Sequence, residues 1–465
     1  MYSLDFNSKI PLYIQLYEEI KKDILSNLKV GDKLPSVRSI ANDYKISKTT
    51  VENTYSQLFA EGYIDSKPQS GYFVSDSINF DMNIKVEEII ESKNKNINYK
   101  YNFYPVQLPK NSFPTKIWKR LSSKAVEEID TFGTYPDGQG EYGLREQITK
   151  YLINSRGASC HAEQIIITSG FSESIGLLAK MVNYKYKSFA IEDPGYHVAR
   201  KVFESYDYHI DKINVNENGL NLSELEESSS KIVYITPSNQ YPKGVVMPIS
   251  NRLKLLDWAN RVDGLILEDD YDSELAYYNR PIPCIQGLDK YDRVVYFGTF
   301  SKSFSPAIRI SYMILPNHLL PIYEKCFDSF FSKASLPTQK TLELFMKEGH
   351  FEKHIRKIRS LNKKKHELLK TLLKSYLGDT MKIEAQGAGL AILINPKYDF
   401  DWDKLKYLAE ENSIKLYFAK DVSGGSWNAI RLGFGGFSEN ELEIVIKIFS
   451  DIWFQCLKKD SDIIL

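Results

Sequence analysis

The sequence predicts an α/β protein in two parts: a small module of three helices and a hairpin over residues 1–75, and a large, mostly parallel sheet domain over residues 101–465. Three observations predict it. Near the N-terminus, apolar residues recur at helical spacing three times and then alternate about a Gly- and Pro-bearing turn. From residue 165 onward, short apolar runs of strand length end again and again in clusters of polar and turn residues. Between the two lies a polar stretch, residues 76–100, with no sustained apolar period, which reads as a linker; Val86, Ile89 and Ile90 suggest a short helix within it.

Leu12, Leu16, Ile20 and Ile24 lie on one face of a first helix that ends before Gly31. A second, short helix follows Leu34-Pro35 with Ser36 as its cap, and Ser47 caps a third. On that third helix Val51, Tyr55, Leu58 and Phe59 are expected to face inward, leaving Lys48, Thr49 and Asn53 outside. Residues 63–66 and 72–75 bracket Lys67-Pro68-Gln69-Ser70-Gly71 as a hairpin. Three helices and a hairpin in this order make a winged helix-turn-helix, a module that lays its third helix in the major groove of double-stranded DNA.

In the large domain, the runs at 165–167, 188–191, 231–235 and 264–267 end in Thr168-Ser169-Gly170-Phe171-Ser172, Glu192-Asp193-Pro194-Gly195-Tyr196, Thr236-Pro237-Ser238-Asn239-Gln240-Tyr241 and Glu268-Asp269-Asp270-Tyr271-Asp272. A fifth ends in Gly298-Thr299-Phe300-Ser301-Lys302, with Arg309 seven residues on. Ligands collect beyond the carboxyl ends of parallel strands, so these clusters should converge. A lysine amine there can form a Schiff base with an aldehyde, an arginine fork and a helix start can grip a phosphate, and a buried carboxylate can hold a pyridine nitrogen protonated.

At these residues the chain resembles the fold-type-I, aspartate aminotransferase-like enzymes of pyridoxal 5'-phosphate (PLP). That resemblance implies that Lys302 is the Schiff-base lysine, Asp269 the partner of the pyridinium nitrogen and Tyr271 the phenol at the cofactor's 3-oxygen. Arg309 would take the phosphate with Gly170, Phe171 and Ser172, and Tyr196 would lie against the ring. Arg431, in Ala429-Ile430-Arg431-Leu432, would receive a carboxylate, on a smaller C-terminal subdomain from about residue 338. Aminotransferases usually place an asparagine just before the Pro-x-Gly turn; here Tyr241 stands there, and Asn239 is the nearest amide.

The first module resembles the GntR family of bacterial regulators through Leu34-Pro35-Ser36-Val37-Arg38, Ser47-Lys48-Thr49-Thr50-Val51 and the wing glycine Gly71, which implies DNA contacts at Arg38, Lys48, Thr49, Thr50 and Gly71. The two domains in this order resemble the MocR/GabR branch of that family. The branch implies a cytoplasmic homodimer, with domains exchanged across it, that senses an amino acid, an amine or PLP itself through an aldimine at Lys302 and alters promoter binding. An active aminotransferase with an appended DNA-docking domain is the alternative.

Composition excludes some classes. With 60 basic and 60 acidic residues the chain has no bulk charge to pull it to nucleic acid, so local patches must supply the affinity. Four cysteines without paired spacing read as reduced thiols. No apolar stretch is long enough to span a bilayer, and His350 and His354 lack a third metal ligand. The basic run Lys363-Lys364-Lys365, following Arg356, Lys357 and Arg359, reads first as the exposed side of a helix, with contact to DNA beyond the winged helix as the alternative.

Overall fold

The computed structural model describes residues 2–8, 10–76, 99–130, 132–278, 282–327, 331–385, 387–423 and 427–458. The helix expected around Val86–Ile90 lies outside the described residues. The chain divides into two compact units, residues 1–96 and 97–465.

In the first unit, helices α1 (Leu12–Ser26), α2 (Val37–Asp43) and α3 (Lys48–Ala60) precede strands β1 (Ile64–Lys67) and β2 (Gly71–Val74), paired antiparallel from Ile64 opposite Val74 to Lys67 opposite Gly71. Ser36 and Ser47 accept hydrogen bonds from the backbone N–H of Ser39 and Thr50, satisfying donors that a helix start leaves free. Leu16, Ile20, Ile40, Val51, Tyr55, Leu58 and Ile64 form the core. One expectation is corrected. Phe59 is 51% exposed, and the inward position falls instead to Thr54, fully buried. A hydroxyl is tolerated there because Thr54 Oγ1 donates to the carbonyls of Tyr13 and Thr50, each at 3.0 Å.

The second unit is built on an eight-stranded sheet: β4 (Ile165–Thr168), β5 (Ser188–Asp193), β6 (His209–Asn216), β7 (Gly219–Leu220), β8 (Ile232–Ile235), β9 (Leu265–Asp269), β10 (Val294–Thr299) and β11 (Ser311–Ile314), numbered after β3 (Tyr101–Asn102). Their spatial order is β4-β11-β10-β9-β8-β5-β6-β7. Strands β10, β9, β8, β5 and β6 run parallel, and β11 is reversed between β10 and β4. Two reversals restore direction, so β4 runs the same way as β10. The carboxyl ends of β4, β5, β8, β9 and β10 therefore share one edge of the sheet.

Alternate residues bury opposite faces. Ile166, Tyr234, Leu267, Phe297 and Met313 join the helices Phe171–Val182 and His197–Glu204, while Ile165, Ile167, Tyr296 and Ile314 join the helices Tyr142–Arg156 and Leu336–Lys347. With both faces covered, the strands read as continuous apolar runs.

A second antiparallel sheet, β12 (Met381–Ala385), β13 (Ala391–Pro396) and β15 (Ile430–Gly433), packs with the helices His350–Leu377 and Glu439–Cys456. Its apolar cluster also takes in Tyr101 and Phe103, because β3 pairs with β14 (Ile414–Lys415). The helix His350–Leu377 serves both cores: Phe351 and Ile355 lie in the large-sheet cluster, and Ile358, Leu369 and Leu373 in the other.

Candidate PLP site and DNA-binding face

Each cluster sits where its strand stops. Strand β9 ends in Asp269, which is 6% exposed and accepts a hydrogen bond of 2.5 Å from Tyr234 on the neighbouring β8. Burial pushes the Asp269 carboxyl up to about 7, against the Tyr234 hydrogen bond. A carboxylate held this far inside the protein is stable as an anion when a cation faces it.

Lys302 follows β10, and burial lowers its amine to about 8, with Asp272 opposing that shift, Arg431 adding to it and Asp269 opposing it. A lysine lowered this far carries a free electron pair more often than a surface lysine does.

Gly170 begins the helix Phe171–Val182 with φ of +146°. A Cβ on it would lie 2.2 Å from Nη2 of Arg309, so the guanidinium closes over the helix start and only glycine leaves it room. Helix N–H groups at Phe171 and Ser172 and the Arg309 fork together make an anion cradle. Arg309 itself has left-handed backbone, φ 51°.

Tyr271 donates to the Asn239 carbonyl at 3.0 Å and accepts from the Asn239 amide at 3.2 Å. The same amide donates to Asp272 at 2.7 Å. Asn239 thus lies in the site as the partner of Tyr271 and Asp272. Tyr241, the departure from the aminotransferase pattern, meets Tyr196 and Tyr271 edge-on, with ring centroids 5.3 and 6.0 Å away. The Arg431 guanidinium stands over the Tyr241 ring at 5.0 Å.

Arg431 is 7% exposed, the second residue of β15 at an edge of the second sheet, and its Nε has no hydrogen-bond partner among the described residues. The site therefore presents a buried carboxylate suited to a cation, an anion cradle, a lowered lysine and a buried guanidinium suited to a carboxylate. These residues fit PLP and an amino acid: Asp269 would hold the ring nitrogen, Tyr271 the 3-oxygen, Tyr196 a ring face, and Gly170, Phe171, Ser172 and Arg309 the phosphate.

Sequence reading missed four contributors. Tyr234 had a signal, since a phenol inside a buried apolar run needs a partner. Asp272 was written in the same acidic cluster as Asp269, and burial pushes it up to about 8. Glu192, buried at the end of β5, accepts from Thr236 Oγ1 at 2.7 Å and from Gln240 at 3.2 Å, which braces the turn carrying Tyr241. His354 packs beside Phe304, with a ring distance of 5.1 Å, and is held neutral by burial near Ser303; only the fold brings it beside the Lys302 loop.

In the first unit, Arg38, Lys48 and Thr49 are exposed, the last two on the first turn of α3. Thr50 is half-buried and its hydroxyl lies 2.8 Å from that of Ser47, so it supports the helix start. Gly71 opens β2 with φ of +111°, a backbone that a side chain would strain, and so sets the wing turn.

A winged helix-turn-helix and a PLP-binding aminotransferase fold in one chain define a class of cofactor-bearing transcriptional regulators. Residues 12–74 match the bacterial regulatory proteins of the gntR family, and residues 96–447 match aminotransferase class I and II. The chain is 36% identical to YdeL, an HTH-type transcriptional regulator of Bacillus subtilis, over 96% of this chain and 97% of that one. It is 31% identical to the probable rhizopine catabolism regulatory protein MocR of Rhizobium meliloti, over 84% and 83%. Among solved structures, the multiple substrate aminotransferase of Thermococcus profundus shares the fold with a TM-score of 0.69 at 23% identity, covering 77% of this chain and 92% of that one. The chain belongs to the MocR-type branch of the GntR family of HTH transcriptional regulators and binds PLP. No helix among the described residues is long and apolar enough to cross a membrane.

Proposed function

We propose that the protein is a homodimeric, cytoplasmic regulator in which the Lys302 site senses a small amine that carries a carboxylate, and that this changes occupancy or activation at a promoter. The observation that carries the reading is the pairing of Lys302 with Arg431, an amine and a buried guanidinium converging from two subdomains on one site. When bound, PLP supplies an aldehyde carbon that holds one amine at a time. Arg431 orients the carboxylate, Asp269 keeps the buried charge balanced, and Asp272, held by the Asn239 amide, steadies the Lys302 amine when it is displaced. Because Arg431 is carried on β15 and Lys302 follows β10, a ligand bridging the two pulls one subdomain toward the other.

Lys302, Asp269 and Arg431 are also what an aminotransferase uses, and what favours sensing is the winged helix in the same chain. The test measures duplex binding to the protein's own upstream DNA with PLP and a panel of amino acids, beside turnover with a 2-oxo acid. Ligand-dependent occupancy without sustained turnover supports the regulator. Turnover near the ~10 s⁻¹ typical of enzymes, with occupancy indifferent to ligand, supports a transaminase.

A further inference from the structure

The helix His350–Leu377 carries an unusual exposed face. Its inner side is fully engaged: Phe351, Ile355, Ile358, Leu369 and Leu373 are buried in the two cores. Lys365, in the middle of the basic run, is buried too, its amine donating to the carbonyls of Gly435, at 3.0 Å, and Phe437. The run is therefore not uniformly a solvated side; Lys365 ties the helix to the loop that follows β15.

On the outer side, Lys353, Arg356, Lys357, Ser360, Lys363 and Lys364 recur at spacings of three and four residues, and all six are exposed. They line one stripe about 17 Å long at 1.5 Å per residue. Of these, only Lys364 is ion-paired among the described residues, to Glu439 at 2.8 Å. Lys353, Arg356 and Lys357 have no ion-pair partner among the described residues, and Lys363 lies over the Tyr278 ring at 5.6 Å, still exposed. The next acid along the face, Glu367, accepts from the Tyr278 hydroxyl, and Glu352, exposed at the stripe's edge, has no ion-pair partner among the described residues. In a chain with 60 basic and 60 acidic residues, so one-sided a run stands apart.

We propose that this stripe is a second DNA-contacting surface, on the PLP-binding unit, which binds the phosphate backbone of duplex outside the segment read by the winged helix. The inference rests on the reading that the protein binds DNA. Lysine, arginine and serine side chains supply many of the phosphate contacts that position a protein on duplex, and a stripe of them outside a recognition helix suits that role. A membrane surface is disfavoured because a helix that lies on lipid inserts an apolar face, and the apolar face of this helix is spent on the cores. A protein partner would need aromatic or aliphatic anchors, which the stripe lacks. Covalent linkage to a DNA-binding module raises the effective duplex concentration at the stripe, so contacts too weak to act alone add to affinity.

The test uses the full-length protein loaded with PLP and a random-sequence duplex of about 60 base pairs, titrated between about 50 and 200 mM salt. The variant K353Q/R356Q/K357Q/K363Q keeps helix-forming side chains and touches no residue of the PLP site; unchanged circular dichroism and cofactor absorbance establish that it folds. Each phosphate contact adds about 0.9 to the slope of log affinity against log salt, so a variant that loses four such contacts is expected to lose about 3.6 from that slope. An unchanged slope overturns the proposal, and so does loss of binding to phosphatidylglycerol vesicles alone with duplex binding intact. The companion variant R38A/K48A keeps the two readings apart. If it retains full duplex affinity while the stripe variant loses it, the winged helix is wrong and the stripe stands; if it alone abolishes binding and the stripe variant does not weaken it, the stripe is wrong.

Discussion

Lys302, Asp269 and Arg431 are three charged side chains drawn into the protein, and each has a cost that a ligand can offset. Lys302→Ala is expected to remove the absorbance of protein-bound PLP above about 400 nm and the DNA response to ligand together, measured by absorbance and duplex titration. Arg431→Lys is expected to weaken a carboxylate-bearing amine by about tenfold or more while leaving an amine without a carboxylate unaffected, because a lysine loses the fork that pairs two carboxylate oxygens. The buried acids predict a pH dependence for the cofactor-free protein. Burial raises Glu192, Glu268, Asp269 and Glu274 to about 7 and Asp272 to about 8. A carboxyl raised on folding binds more protons in the native state, so its stabilising contribution is complete below the unfolded pKa near 4 and is lost as pH rises through 7 to 8. His354 and His366, lowered to about 4 by burial, act in the opposite sense, but only below about 6.5. Lys302, lowered to about 8, also opposes the carboxyls toward the top of the range, but five raised carboxyls outnumber it, so between pH 6.5 and 8 the thermal midpoint should fall. Asp272→Asn should flatten the fall, and a midpoint that rises with pH would contradict the assignment.

At the scale of elements, the helix starts carry function. Gly170→Ala adds a Cβ in the path of Arg309 and asks alanine to adopt φ of +146°, so PLP affinity should drop by at least about tenfold in equilibrium dialysis while the strand behind it stays intact. Ser47→Ala removes the cap of α3, with an expected loss of about 1 kcal/mol in denaturant unfolding of the first unit. Helix starts, turns and apolar runs were legible because each is a local matter of a few residues. The third helix shows where locality stops: spacing assigned Phe59 inward, but the helix turns so that Thr54 packs against α1, where its hydroxyl finds two carbonyls. Periodicity cannot see a carbonyl on another helix.

For the whole molecule, the expected behaviour is division of labour with coupling. The Arg38→Ala and Lys48→Ala exchanges should lower operator affinity and leave PLP binding unchanged, whereas Lys302→Ala should leave basal DNA affinity in place and remove its dependence on ligand; paired titrations of DNA and cofactor check both. The sequence by itself determined the two-part organisation, the helix caps and the strand runs, because each is written in contiguous residues whose spacing follows helix or strand geometry; its resemblance to aspartate aminotransferase-like enzymes marked Lys302, Asp269, Tyr271 and Arg309 as candidates. Only the tertiary structure decided which groups meet across long sequence separations. It set Tyr234 against Asp269, Asn239 between Tyr271 and Asp272, and Arg431 over Tyr241. It also divided one run of lysines, burying Lys365 against the carbonyls of Gly435 and Phe437 and leaving Lys363 and Lys364 outside. The physical reason is that hydrogen bonds and burial depend on distances in space, and the sheet order β4-β11-β10-β9-β8-β5 that sets those distances arises from packing strands far apart in the chain.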